Sequence, residues 1–85
     1  MLSPEFSTSA SKFLKKADKQ LAKRLVDEIE KLTKDPFPKD VKRVVNQQEK
    51  VFRVRVGDYR IQYCVLFDRN LLFITDIDKR ERAYD

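Results

Sequence analysis

Arg53 and Arg55 stand just before a Gly57-Asp58 pair, Arg60 just after it, and Lys79, Arg80, Arg82 and Tyr84 gather near the end of the 85-residue sequence. Histidine is absent and Cys64 is the only cysteine. That composition excludes the commonest zinc, iron and copper ligand sets and every Ser-His or Cys-His nucleophilic arrangement. Chemistry is left to arginine, lysine, tyrosine, serine and carboxylates. A guanidinium is planar, charged at any physiological pH, and carries its N–H donors in a fork that fits phosphate oxygens. The whole chain leans the same way: 19 Lys and Arg against 14 Asp and Glu give a net charge of +5. Such a balance favours nucleic acid, an acidic protein or an anionic membrane surface as partner.

The arginines acquire positions from the strands that must carry them. Phe52 to Val56 alternates strictly between apolar and basic residues, Gly57-Asp58 marks a tight turn, and Tyr59 to Tyr63 alternates again before an apolar run to Phe67. This is the pattern of a β-hairpin. With two loop residues, Val56 pairs with Tyr59, Arg55 opposes Arg60, and Arg53 opposes Gln62, all on one face. Like charges directly opposite each other on a sheet repel, so an arginine pair there calls for a compensating anion. A second turn at Asp68-Arg69-Asn70 leads into a third strand, Leu71 to Ile77, making a meander. Pairing Phe67 with Leu71 sets Arg60 opposite Asp78, Gln62 opposite Asp76, and Asp58 near Arg80. The same register admits a plainer reading, in which Asp58, Asp76 and Asp78 neutralise the arginines in a surface salt-bridge lattice of small energetic consequence. The opposite face, with Phe52, Val54, Val56, Ile61, Tyr63, Val65 and Phe73, is expected to cover the helices, leaving a sheet with one apolar and one basic face.

Those helices are written upstream. From Ser7 or Ser9 as N-cap, Ala10, Phe13, Leu14 and Ala17 follow one-sided helical spacing, with Lys12, Lys15 and Lys16 on the wet side. A second helix starts after Asp18, turns Leu21, Ala22, Leu25, Val26, Ile29 and Leu32 inward, and ends before Asp35-Pro36-Phe37-Pro38. Lys39 to Lys50 has no clear period, although Val41, Val44 and Val45 suit a short strand or turn. Met1 to Phe6 suits an edge strand interrupted by Pro4. The predicted fold is α+β, a single domain over 1–85, with a helical hairpin packed on a small antiparallel sheet.

A chain of this length buries only about 60–65% of the surface its unfolded form exposes, so part of its stability is expected to come from a bound partner. Cys64 lies in an apolar run and reads as a buried thiol in a reducing compartment. No run approaches the roughly 18 apolar residues of a membrane span, and the N-terminus lacks a signal-peptide pattern, so a cytoplasmic protein without membrane contact is expected.

Val54-Arg55-Val56-Gly57-Asp58-Tyr59-Arg60-Ile61 resembles the R-V-G-D-Y-R block of the RelE/ParE toxin superfamily, and Lys79-Arg80-Glu81-Arg82-Ala83-Tyr84 resembles its basic C-terminal tail ending in tyrosine. The helical hairpin and the Pro-rich break also match, so the resemblance covers essentially the whole chain. It implies a type II toxin of the RelE branch: a ribosome-dependent endoribonuclease that cleaves messenger RNA in the decoding site and so inhibits translation, without a cofactor. On this resemblance Arg60, Arg80 and Tyr84 are the catalytic set, and Arg53, Arg55, Lys79 and Arg82 bind RNA phosphates. The implied partners are a cognate RelB-like antitoxin, the ribosome with its mRNA, and operator DNA reached through the antitoxin. Two other readings belong to the same superfamily. One is a ParE-like toxin that inhibits DNA gyrase by protein contact; the other is an inactive homologue kept as an antitoxin-binding corepressor.

Overall fold

The computed structural model describes residues 1–39, 41–43 and 50–79. Its elements run β1 (Ser3–Phe6), α1 (Thr8–Lys16), α2 (Lys19–Lys34), β2 (Lys42–Arg43), β3 (Phe52–Val56), β4 (Tyr59–Leu66) and β5 (Leu71–Lys79), with a 3₁₀ turn at Phe67–Arg69. The strands form one sheet in the order β1-β5-β4-β3-β2. Every pairing is antiparallel except that of β1 with β5, which is parallel. The α+β architecture expected from the sequence is therefore present, with the N-terminal segment as the fifth, edge strand. Pro4 is tolerated there because one side of an edge strand needs no backbone donor.

Each helix begins where a side chain can replace a missing backbone acceptor. Ser7, not Ser9, caps α1: its Oγ accepts from the Ala10 N–H at 3.1 Å and donates to the Thr75 carbonyl at 2.7 Å, so the cap also fastens α1 to β5. Asp18 caps α2 by accepting from the Leu21 N–H at 2.8 Å. Leu25, Ile29 and Leu32 of α2 lie fully buried against Ile61 and Tyr63 of β4 and Leu72, Ile74 and Ile77 of β5, with Ala10 and Leu2 completing the core. Burying a large aliphatic side chain of this kind is worth about 1.5–3 kcal/mol. Val26, expected to point inward, is 40% exposed, because it stands one residue past the buried stripe.

The hairpin register agrees with the sequence reading throughout: Val56 pairs with Tyr59, Arg55 with Arg60 and Arg53 with Gln62. Gly57, the only glycine in the chain, has φ +60° and is followed by a residue with negative φ, the signature of a type II′ turn. The second connection differs from expectation. Phe67 leaves the strand to enter the 3₁₀ turn, Asn70 closes that turn in the left-handed conformation, and Leu66, not Phe67, pairs with Leu71. A bulge in β5 opposite Gln62 and Tyr63 then inserts one residue and restores the expected pairs Arg60 with Asp78 and Gln62 with Asp76. Between turn and bulge the faces are exchanged. Leu72 opposes Val65 and is fully buried, whereas Phe73 opposes Cys64 on the face away from the helices. The outer face is thus basic toward the Gly57 turn and partly apolar toward the other end. Cys64 is buried, as its neighbours in sequence suggested.

Of the segment read as irregular, Lys42 and Arg43 form a two-residue strand opposite Arg53 and Phe52. Val44 and Val45 lie outside the described residues.

Candidate functional site

The outer face of the sheet is organised as two rows of side chains crossing the strands. Nearest the hairpin turn, Arg55 of β3 lies beside Arg60 of β4, and Arg60 lies beside Asp78 of β5. Arg60 forks onto Asp78, with Nε donating to Oδ1 and Nη2 to Oδ2, each at 3.1 Å. Such a two-point interaction fixes the plane of the guanidinium as well as its position. Arg60 retains 16% of its side-chain exposure and Asp78 36%, so the pair sits at the water boundary and its own contribution to stability is modest, on the order of 1 kcal/mol or less.

In the next row Lys42 of β2 lies beside Arg53, Arg53 beside Gln62, and Gln62 beside Asp76. The bulge changes what this aspartate does. Its Oδ1 accepts from the Ile77 N–H at 2.9 Å and from Ser9 Oγ of α1 at 3.0 Å. Asp76 therefore stitches β5 to α1, and only Asp78 among the described aspartates forms an ion pair with Arg60 as the salt-bridge lattice required. Two cross-strand pairs of like charge, Lys42 with Arg53 and Arg55 with Arg60, now share one face. An anion with several oxygens set between such cations relieves the repulsion.

A further cation reaches the turn from the helical layer. The Arg24 guanidinium of α2 packs so closely over Gly57 that a Cβ built there would lie 2.8 Å from Nη2. Glycine is required at this position twice over, by its φ and by this approach. Neither Arg24 nor Lys42 stands out in the sequence. Arg24 reads as part of a solvated helix face, and Lys42 lies in a stretch without period, where only Val41, Val44 and Val45 hinted at a short strand or turn.

The sequence-predicted residues fall into three groups. Arg53, Arg55 and Arg60 are brought together on the outer face. Lys79 pairs with Tyr59, whose ring meets Phe13 of α1 edge-on at 5.7 Å, so its register position belongs to the helix-facing row and not to that of Arg60. Arg80, Arg82 and Tyr84 lie outside the described residues. Tyr63 offers no substitute for Tyr84: it is fully buried, donates its hydroxyl to the Pro36 carbonyl, and has its pKa driven upward by burial and then by the nearby Asp35 and Glu28 carboxylates. Among the described residues no three His, Cys, Asp or Glu side chains gather as a metal-ion ligand set would, and no helix is long and apolar enough to cross a membrane.

Two helices on one side of a mostly antiparallel five-stranded sheet define a RelE-like fold. The family model for the ParE toxin of type II toxin-antitoxin systems, parDE, matches residues 5–84. A curated relative named toxin RelE1, from Methanocaldococcus jannaschii, is 43% identical over 65 residues, which span 73% of this chain and 71% of that protein. A chain of the archaeal RelE-RelB complex from Pyrococcus horikoshii OT3 superposes with a TM-score of 0.80 at 24% identity, covering 95% of this chain and 97% of that one. The isolated E. coli RelE toxin superposes with a TM-score of 0.81 at 16% identity, covering 99% and 89%. The two structural likenesses carry the fold; the family match and the archaeal relative carry the kinship. The chain belongs to the ParE toxin family of type II toxin-antitoxin systems, within the RelE/ParE superfamily.

Proposed function

We propose that the chain is a ribosome-dependent endoribonuclease of the RelE kind, cleaving mRNA in the decoding site. The observation that supports this most is the Arg55–Arg60–Asp78 row, in which one guanidinium is fixed in plane by a carboxylate while a second lies directly beside it. In the proposed reaction the ribose 2′-OH attacks the adjacent phosphorus and expels the 5′-oxygen, so negative charge builds on the phosphate oxygens. Guanidinium groups held in advance where that charge develops lower the barrier, and the contribution of one such donor is typically about 10²–10³ in rate. Arg60 and Arg80 clamp the scissile phosphate, Arg53 and Arg55 with Arg82 hold neighbouring phosphates, and Tyr84 stacks on a base or touches the 2′-OH, while Lys79, in register with the helix-facing row, stands outside this set. A free arginine titrates above about 12 and a free tyrosine near 10, so neither removes a proton readily at neutral pH. Cleavage by the isolated protein is therefore slow, and the ribosome supplies the alignment of 2′-OH, phosphorus and leaving oxygen.

The protein acts in the cytoplasm and is silenced by a RelB-like antitoxin. Relatives of the same fold were crystallised as RelE-RelB complexes, and a basic face is complementary to acidic antitoxin side chains. Operator DNA is reached through that antitoxin. The match to the ParE family favours a second reading, a non-nuclease toxin directed at DNA gyrase.

Primer extension on a reporter message in a cell-free translation system separates the two. Wild-type protein is expected to cut within codons only while the message is translated, and Arg80→Ala to abolish the cuts. Intact message with unhindered protein synthesis, alongside inhibited gyrase supercoiling, overturns the nuclease reading.

A further inference from the structure

Beyond the two rows, the structure holds a groove of about 480 Å³ at the outer edge of the sheet, where α2, the segment after it and strands β2 and β3 converge. Among the described residues, Lys39, Lys42, Arg53 and Arg55 line it together with one carboxylate, Glu28. Pro38 and Val41 add an apolar wall, and the Val41 N–H donating to the Pro38 carbonyl at 3.1 Å closes the turn that carries both. The volume falls within the range of sites that hold a small organic ligand, roughly 300–1,000 Å³. A lining that combines cations with apolar side chains suits a ligand with an anionic group and a flat, weakly polar one. A nucleotide of single-stranded RNA has that construction.

The groove is continuous with the arginine face, because Arg55 belongs both to its lining and to the row containing Arg60. Lys39 and Lys42 are exposed, and among the described residues neither forms an ion pair. Register places Lys42 directly beside Arg53, which sets two cations side by side at the rim of the groove.

We propose that this groove seats a flanking nucleotide of the RNA strand, with its phosphate on Lys39 and Lys42 and its base or ribose against Pro38 and Val41. The identity of the strand rests on the nuclease reading; the anion site itself does not. Lys39 and Lys42 bind and position the strand and take no part in bond breaking. Arg53 and Arg55 bridge this seat to the scissile phosphate beside Arg60.

The test uses the free protein and a fluorescent RNA decamer that is 2′-O-methylated throughout and so cannot be cleaved, followed by anisotropy across a salt series. The Lys39→Gln/Lys42→Gln double variant is expected to bind about tenfold more weakly, and its log K against log salt slope to fall by about 0.7 for each phosphate no longer neutralised. Glu28→Gln, which removes the carboxylate that lines the groove among the described residues, is expected to bind several-fold more tightly. An unchanged thermal melt shows that the substitutions at exposed Lys39 and Lys42 and at half-buried Glu28 leave the fold in place. Unaltered affinity and slope in the double variant overturn the proposal. Retained RNA affinity, with binding to a glutamate-rich peptide abolished, also overturns it, in favour of a protein ligand. If the wild-type protein binds the decamer through Lys39 and Lys42 yet leaves translated message intact, the groove stands and the nuclease reading falls. If message is cut within codons while the double variant binds RNA as the wild type does, the nuclease stands and the groove falls.

Discussion

The two rows of the outer face carry nearly the same residues and end differently. Arg55, Arg60 and Asp78 form a row whose carboxylate meets a guanidinium at two points. Lys42, Arg53, Gln62 and Asp76 form a row whose carboxylate is turned to Ser9 and to the backbone of β5. A single inserted residue in β5 makes the difference. In the first row the acid holds an arginine still; in the second it holds an element of the fold together. Cations of the first row suit work that needs fixed geometry, such as stabilising one phosphate in a transition state. Those of the second suit attraction of an extended anion, where position matters less than net charge.

Removing the feature that sets the register of both rows is expected to have the largest effect. Gly57→Ala forces a Cβ into a left-handed backbone position and into Arg24, so unfolding in urea is expected to shift by about 1–2 kcal/mol or more toward instability. A variant as stable as the wild type would mean that the turn relaxes and that the register does not depend on it. Asp78→Asn addresses the first row alone. It removes the charge that fixes Arg60 but keeps the shape of the side chain, so stability is expected to change by less than about 1 kcal/mol. Cleavage of translated message, in the nuclease reading, is expected to drop by about tenfold or more, because the two-point, charge-assisted hold of Asp78 on the Arg60 guanidinium is lost. Equal losses in both assays would assign Asp78 a structural role like that of Asp76.

The hairpin half of this arrangement was legible because one Gly-Asp pair fixes a two-residue loop, and from a two-residue loop the pairing of Arg55 with Arg60 follows by counting. The β4–β5 connection was legible only in part. Phe67 carries no sign that it leaves the strand, and nothing in Thr75 or Asp76 announces a bulge. The two departures offset each other, so the expected partners of Arg60 and Gln62 are found, while Phe73, which lies between them, is on the face opposite to expectation. Lys42 was hidden because a two-residue strand is too short to display a period. Arg24 was hidden because its approach to Gly57 is a tertiary interaction that helix periodicity does not encode.

The smallest expected effect bears on the second row most directly. Ser9→Ala removes one of the two donors that turn Asp76 away from the basic face while leaving α1 capped by Ser7. Loss of a single exposed hydrogen bond costs about 0.5–1.5 kcal/mol at most, so the melting temperature should fall only slightly. The carboxylate, still held by the Ile77 N–H alone, becomes able to swing toward Gln62 and the charge of Arg53. A negative charge arriving there opposes RNA phosphates, so binding of the uncleavable decamer is expected to weaken by about two- to threefold, with a shallower salt dependence. Asp76→Asn in the same background is expected to restore the wild-type affinity, because the rotated side chain then carries no charge. If Ser9→Ala leaves both affinity and slope unchanged, the Ile77 N–H alone suffices to hold Asp76, and the bulge, with no help from α1, accounts for the difference between the rows.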